Sequence, residues 1–177
     1  MSSASTASGR LRAAWLRWRF HLNVLLLIVP LALMSQYFQN QAKFRGLMGL
    51  GEREIGEIQV GPWSARLAEY ELGGPHDEGI YGFHKPFVVA FCETCLPQIK
   101  AAYLRIGEPQ SLRAAGALLM GNPYALEGEV VVPPRASPDS ELWLTVEGWD
   151  GSVHQASIPL AQASPDTRAW LEQRGNR

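Results

Sequence analysis

Cys92-Glu93-Thr94-Cys95 is the one place in this chain where residue types and spacing point to chemistry. Two thiols separated by two residues can close a structural disulfide, exchange a disulfide with another protein, or hold a soft metal. Exchange of the thioredoxin kind needs the first sulfur at the N-terminus of a helix, whose positive end stabilises the thiolate. Here Glu93 puts a carboxylate between the sulfurs, which opposes thiolate formation, and no Trp precedes Cys92. A metal site would need imidazoles. His84 lies eight residues before Cys92, and His76 sits in the loop before that. Two thiolates and one His suit Cu(I); Cys92, Cys95, His84 and His76 together would supply the four ligands of a closed zinc site, although their spacing matches no standard zinc pattern. The third reading is a small disulfide in a tight loop turned by Pro97. The backbone of residues 96–106 separates these readings. Leu96, Ile99, Tyr103 and Ile106 fit a helix, whereas Ala102, Leu104 and Ile106 fit one face of a strand. A helix there favours thiol chemistry, and a strand opposes it.

The element that sets the location of this site is the run Phe20–Phe38, nineteen residues without Asp, Glu, Lys or Arg. As a helix it spans about 28 Å, close to the hydrocarbon thickness of a bilayer. Arg10, Arg12, Arg17 and Arg19 precede it, and Lys43, Arg45 and Arg53 follow more sparsely. The positive-inside rule therefore puts the N-terminus in the cytoplasm and the residues after about 40 outside it. Trp15 and Trp18 at one border and Tyr37 and Phe38 at the other suit the two interfaces. A cleaved signal peptide is the competing account. The length of the run and the poor match of Ala-Leu-Met-Ser-Gln to a cleavage pattern favour an uncleaved anchor. His21, Asn23 and Ser35 interrupt the span, and Pro30 lies near its middle. Intramembrane polar groups are costly against lipid, so His21 and Asn23 either reach the headgroups or face a partner helix; Pro30 marks a kink or a packing surface.

The net charge is −1, with no basic surplus to suggest nucleic acid as a partner. About 120 residues follow the anchor, enough for one core. They divide into a juxtamembrane linker (39–54), a β-domain (55–163) and a C-terminal helix and tail (164–177), after a basic tail (1–19) and the span (20–38). Short strands are expected over Ile55–Val60, Trp63–Leu72, Phe87–Phe91, Gly116–Met120, Leu126–Val132, Leu142–Glu147 and Val153–Leu160. The last two are joined through Trp149-Asp150-Gly151-Ser152, a hairpin signal. Residues 73–82, rich in Gly and acidic side chains, read as a loop, with Asp77 and Glu78 solvated. Trp143 and Trp149 are expected to pack the core or its end, and His154 to be an exposed strand residue. Ser164-Pro165-Asp166 opens a short helix, with Ser as cap and Pro at its first position. The fold class expected is mainly β: a single transmembrane helix, an immunoglobulin-like sandwich and a short C-terminal helix.

No nucleophile elbow, phosphate loop, haem-attachment motif or paired catalytic carboxylate is present, which points away from an enzyme. The layout of basic tail, single anchor Phe20–Phe38, β-domain and Cys92-Glu-Thr-Cys-Leu-Pro97 is similar to small accessory proteins of bacterial inner-membrane metal-handling systems. In particular it resembles the accessory subunits of periplasmic ferri-siderophore reductases such as those processing pyoverdine. The resemblance implies a periplasmic, non-catalytic helper that docks on a multi-span membrane protein concerned with iron. Membrane-tethered thiol–disulfide exchange and copper delivery through the Cys-Glu-Thr-Cys pair are the alternatives.

Overall fold

The computed structural model describes residues 4–44, 50–122 and 124–175. The chain divides into two compact units, Met1–Ala42 and Lys43–Arg177. The first unit is built on one helix, α1 (Ala4–Phe44), 41 residues long. It takes in most of the expected basic tail and the first part of the expected linker as well as the apolar run. Its most apolar window is Trp15–Met34, with mean hydropathy 1.4 and none of it buried, long and apolar enough to cross a membrane. That window begins five residues earlier than the charge-free run, because Arg17 and Arg19 are outweighed by Trp15, Leu16, Trp18 and the Leu-rich stretch. The fraying expected at Gly46 and Gly49 falls on residues outside the described ones.

The second unit is mainly β. Its strands are β1 (Arg53–Val60), β2 (Trp63–Glu69), β3 (His76–Asp77), β4 (Phe83–Phe91), β5 (Ile99–Ile106), β6 (Ala117–Leu118), β7 (Met120–Asn122), β8 (Ala125–Val132), β9 (Glu141–Gly148) and β10 (Val153–Pro159). Helices α2 (Leu160–Ala163) and α3 (Pro165–Gly175) follow. Among the described residues these form two antiparallel sheets, one ordered β1-β2-β4-β8-β7 with β3 beside β4, the other β10-β9-β5-β6. Alternation explains which side chains turn inward. Trp63, Ala65 and Leu67 of β2, Phe87 and Val89 of β4, Ala102, Leu104 and Ile106 of β5, and Leu142, Leu144 and Val146 of β9 all belong to one apolar cluster drawn from both sheets. Residues 96–106 thus resolve as a single 3₁₀ turn, Leu96–Gln98, followed by strand.

The strand order is not that of an immunoglobulin domain. There the third strand crosses to the second sheet. Here the third long strand, β4, stays between β2 and β8, and the crossover comes only after it, between β4 and β5. Strand β4 also begins four residues before the expected start. Pro86 interrupts nothing because β2 stops pairing at Glu69↔Phe87 and β3 pairs only His84 and Phe83. The missing N–H falls in the gap between those two neighbours.

Register fixes the two ends of the sandwich. Arg53 pairs with Glu69, and Phe83 with Val132, at one end. Val60 pairs with Trp63, Ala65 with Phe91, and Ile99 with Gly148 at the other. The chain enters β1 at the Arg53 end, where the 70–82 loop, α2 and α3 also gather. The opposite end holds the turn after β4 and the β9–β10 hairpin.

Candidate functional site

The Cys-Glu-Thr-Cys segment is the crossover between the two sheets. Cys92 and Cys95 form a disulfide with their Cα atoms 5.1 Å apart, and no free cysteine remains. Cys95 N–H donates to Cys92 O at 2.9 Å and Gln98 N–H to Cys95 O at 2.9 Å, so the loop is a pair of tight turns. Cys95 is buried in the core and Cys92 is half-buried, while Glu93 and Thr94 face solvent. Gln98 ties this loop to both sheets. Its Oε1 accepts the indole N–H of Trp63 at 3.1 Å, its Nε2 donates to Thr94 O at 3.2 Å, and its backbone O accepts Trp149 N–H at 3.0 Å. A single 3₁₀ turn and then strand follow Cys95, so no α-helix terminus faces either sulfur.

Trp149 and His154 depart from expectation at this end. Trp149 is 68% exposed, since the Asp150-Gly151 turn lifts it out of the sheet. The indole that fills the core is that of Trp63, 3% exposed, with the half-buried His154 ring edge-on to it at 5.2 Å. Asp150 Oδ1 accepts both the Ser152 N–H at 2.9 Å and its hydroxyl at 2.6 Å. These two bonds hold the Asp150 carboxyl below the usual carboxylate range.

The four-ligand Cys/His set is not assembled. His76 and His84 are direct cross-strand partners in β3 and β4. His84 and Cys92 lie at opposite ends of β4, about 26 Å apart at the rise of an extended strand. The two imidazoles are engaged elsewhere: His76 Nε2 is 3.1 Å from Glu71 Oε2, and His84 Nε2 is 3.1 Å from Tyr81 O. No group of three or more His, Cys, Asp or Glu side chains suited to a metal ion occurs among the described residues. The donor set does not fit resident copper, zinc or iron in this arrangement, because the sulfurs are bonded to each other and the imidazoles are a strand's length away. In α1, His21, Asn23 and Pro30 all have exposed side chains, and the Trp18 ring packs edge-on to His21 at 5.7 Å.

The Arg53 end carries an ionic cluster that sequence reasoning missed. Lys85 and Glu69 are both fully buried. Lys85 Nζ donates to Glu71 O at 2.6 Å and Gly73 O at 2.7 Å and lies 3.2 Å from Glu69 Oε1, which accounts for all three of its protons. Arg53 Nε donates to Glu69 Oε2, and its Nη2 donates to Ala163 O at 2.6 Å and Gln162 O at 3.1 Å. The Ser164 hydroxyl donates to Glu69 Oε1 and stands 2.8 Å from Thr167 Oγ1. That hydroxyl is therefore not the backbone cap expected at the start of α3. The cluster joins β1, β2, β4, the chain after β2 and the start of α3 through one carboxylate. A signal was present: Glu69 shares the inward face with Trp63, Ala65 and Leu67, and Lys85 precedes the apolar run Phe87–Phe91. Nearby, burial first and then the carboxylates of Glu127, Glu71 and Glu52 push the Tyr70 phenol up.

Fold and site together define a class: one span-length apolar helix followed by a two-sheet antiparallel domain whose crossover is closed by a disulfide. The chain belongs to the family described as uncharacterised conserved protein UCP029505, which matches residues 14–161 and so takes in both the apolar window and all ten strands. No curated protein and no solved structure matches the chain.

Proposed function

We propose that this protein is a single-span accessory subunit of a bacterial inner-membrane complex. Its N-terminus is cytoplasmic and its β-domain periplasmic. It serves a redox or metal-handling system, with siderophore-iron reduction the system its layout resembles, and it carries no chemistry of its own. The observation that carries this reading is the Trp15–Met34 window. It is apolar over a bilayer's thickness and none of it is buried. Water is a poor solvent for such a surface, and lipid or a partner helix covers it. Arg17 and Arg19, in the first turns of that window, support the orientation. Extraction in mild detergent should recover the chain in a particle well above its own mass. Recovery as a free monomer from intact membranes would count against the proposal.

Thiol–disulfide exchange is the second reading, and the half-buried state of Cys92 is what favours it. The single 3₁₀ turn and the strand after Cys95 speak against it, because exchange of the thioredoxin kind places the first sulfur at the N-terminus of an α-helix. After reduction of the full chain, rapid alkylation of Cys92 near neutral pH together with insulin reduction would make exchange the better reading. A slow, ordinary thiol leaves the disulfide structural.

A further inference from the structure

The turn between β3 and β4 holds apolar side chains in water by design of its backbone. Asp77 Oδ1 accepts the Gly79 N–H at 2.8 Å, and Gly82 O accepts the Glu78 N–H at 2.8 Å. Tyr81 N–H donates to Glu78 O at 3.3 Å and Gly82 N–H to Gly79 O at 3.2 Å. Gly79 and Gly82 take φ of +64° and +88°, which suits residues without a Cβ. The result is a braced 3₁₀ turn that displays Ile80, 92% exposed, and Tyr81, 72% exposed. Neither side chain contributes to the core. Burying either against an apolar surface is favourable. A rigid turn that presents an aliphatic and an aromatic side chain has the make-up of a binding hot spot, because little entropy is lost on docking.

The surroundings of the turn are acidic. Glu71, Asp77 and Glu78 belong to the same loop, Glu52 accepts the Leu72 N–H at 3.1 Å, and Asp166 accepts the Gly73 N–H at 2.9 Å. Of the neighbouring basic groups, Lys85 and Arg53 share Glu69, Arg174 lies over the rings of Phe83 and Trp170, and His76 Nε2 stands 3.1 Å from Glu71 Oε2, so carboxylates outnumber cations around the turn. Such a rim is repelled by an anionic lipid surface and by a second copy of itself, which leaves a protein surface of opposite sign.

Resting on the accessory-subunit reading, we propose that the Ile80–Tyr81 turn plugs an apolar pocket rimmed by Lys and Arg on the extramembrane surface of the membrane-protein partner. The test uses the full chain in its native membrane, with p-benzoylphenylalanine at position 80 and, as control, at position 153. Irradiation should give a protein adduct from position 80 and none from 153, with an acceptor peptide, mapped by mass spectrometry, that contains basic residues. Glu78→Lys, whose side chain makes no bond in the turn, should lower adduct yield about tenfold, and changing the acceptor's basic residue to Glu should restore it. An adduct counts as support only with that charge-swap rescue. The docking proposal is overturned by an adduct with lipid alone, with a second copy of this chain, or with an acceptor that lacks basic residues. Silence at position 80 while the unmodified chain still migrates as a large complex also overturns it and leaves the accessory reading standing. An unmodified chain that migrates as a monomer removes both.

Discussion

The two ends of the sandwich are held by different physics. At one, a covalent bond between Cys92 and Cys95 closes the crossover, and neutral hydrogen bonds through Gln98 fasten it to Trp63 and Trp149. At the other, the buried Glu69 gathers the buried Lys85 and Ser164 and the partly exposed Arg53. The disulfide acts on four consecutive residues, so it constrains little beyond its own turn. The carboxylate acts on β1, β2, β4 and the start of α3, reaching a partner 95 residues away in the chain. A buried ion pair adds little net stability over a well-packed apolar replacement, because desolvation offsets the Coulomb gain. Removing one partner is another matter, since it strands the other charge. The Arg53 end is therefore the more fragile to single changes, although it has no covalent link.

The largest expected effect tests that contrast. Lys85→Met leaves the Glu69 carboxylate buried with fewer donors and frees the carbonyls of Glu71 and Gly73. It should cost about 3–5 kcal/mol, read from denaturant unfolding of the full chain in detergent. Lys85→Met combined with Glu69→Leu should recover a large part of that loss, because no unpaired carboxylate remains. If the double variant is as unstable as the single one, the cluster contributes net energy rather than specificity, and the comparison must be reversed.

The disulfide should matter less. Closing a loop of this size removes only about 2 kcal/mol of unfolded-chain entropy. Cys92→Ala/Cys95→Ala should lower stability by about that amount and leave the β-sheet circular dichroism unchanged. A loss as large as that of Lys85→Met would mean that the crossover organises the whole core.

The same contrast explains what could be read beforehand. Strands β8, β9 and β10 were legible from alternation and from Asp150-Gly151, because turn chemistry and periodicity agree there. Residues 96–106 were ambiguous since Leu96, Ile99, Tyr103 and Ile106 mimic a helix. Tertiary pairing with β9 decided for a strand, and Ala102, Leu104 and Ile106 turned inward. The disulfide needs only local spacing and was legible as one of three options. The ionic cluster was not, for each member looks ordinary in its own segment: a Glu at a strand end, a Lys before a Pro, an Arg in a linker, a Ser before a helix. Only the sheet order brings them together. His76 and His84 were read as companions of the cysteines because the strand was expected to begin only at Phe87; extended from Phe83, it holds His84 about 26 Å from Cys92. Trp149 was assigned to the core on residue type alone, but the hairpin points it outward.

The smallest effects separate two carboxylates by the sign of their pH dependence. Asp150, at the disulfide end, is held below the usual range by its bonds from Ser152. It binds protons less readily folded than unfolded, so its contribution is present above the ordinary carboxylate pKa and fades as pH falls through the lowered one. Glu127 on β8 is pushed up, first by burial and then by Glu129. It binds protons more readily folded, so stability is lost as pH rises from the ordinary carboxylate pKa through the raised one. Asp150→Asn should therefore melt lower than the parent at neutral pH, and Glu127→Gln should melt higher. The Glu127→Gln difference should be no more than about 0.5 kcal/mol and should vanish on acidification to about pH 3, while the Asp150→Asn difference should shrink as pH falls through the lowered Asp150 pKa. Melting curves of the full chain in detergent from about pH 3 to about pH 8 read both at once. Two differences of the same sign would show that one of the carboxylates sits in a different environment from the one described. An Asp150→Asn difference that is already absent at neutral pH would show that the Ser152 bonds act through geometry rather than charge, since Asn Oδ1 can accept them too.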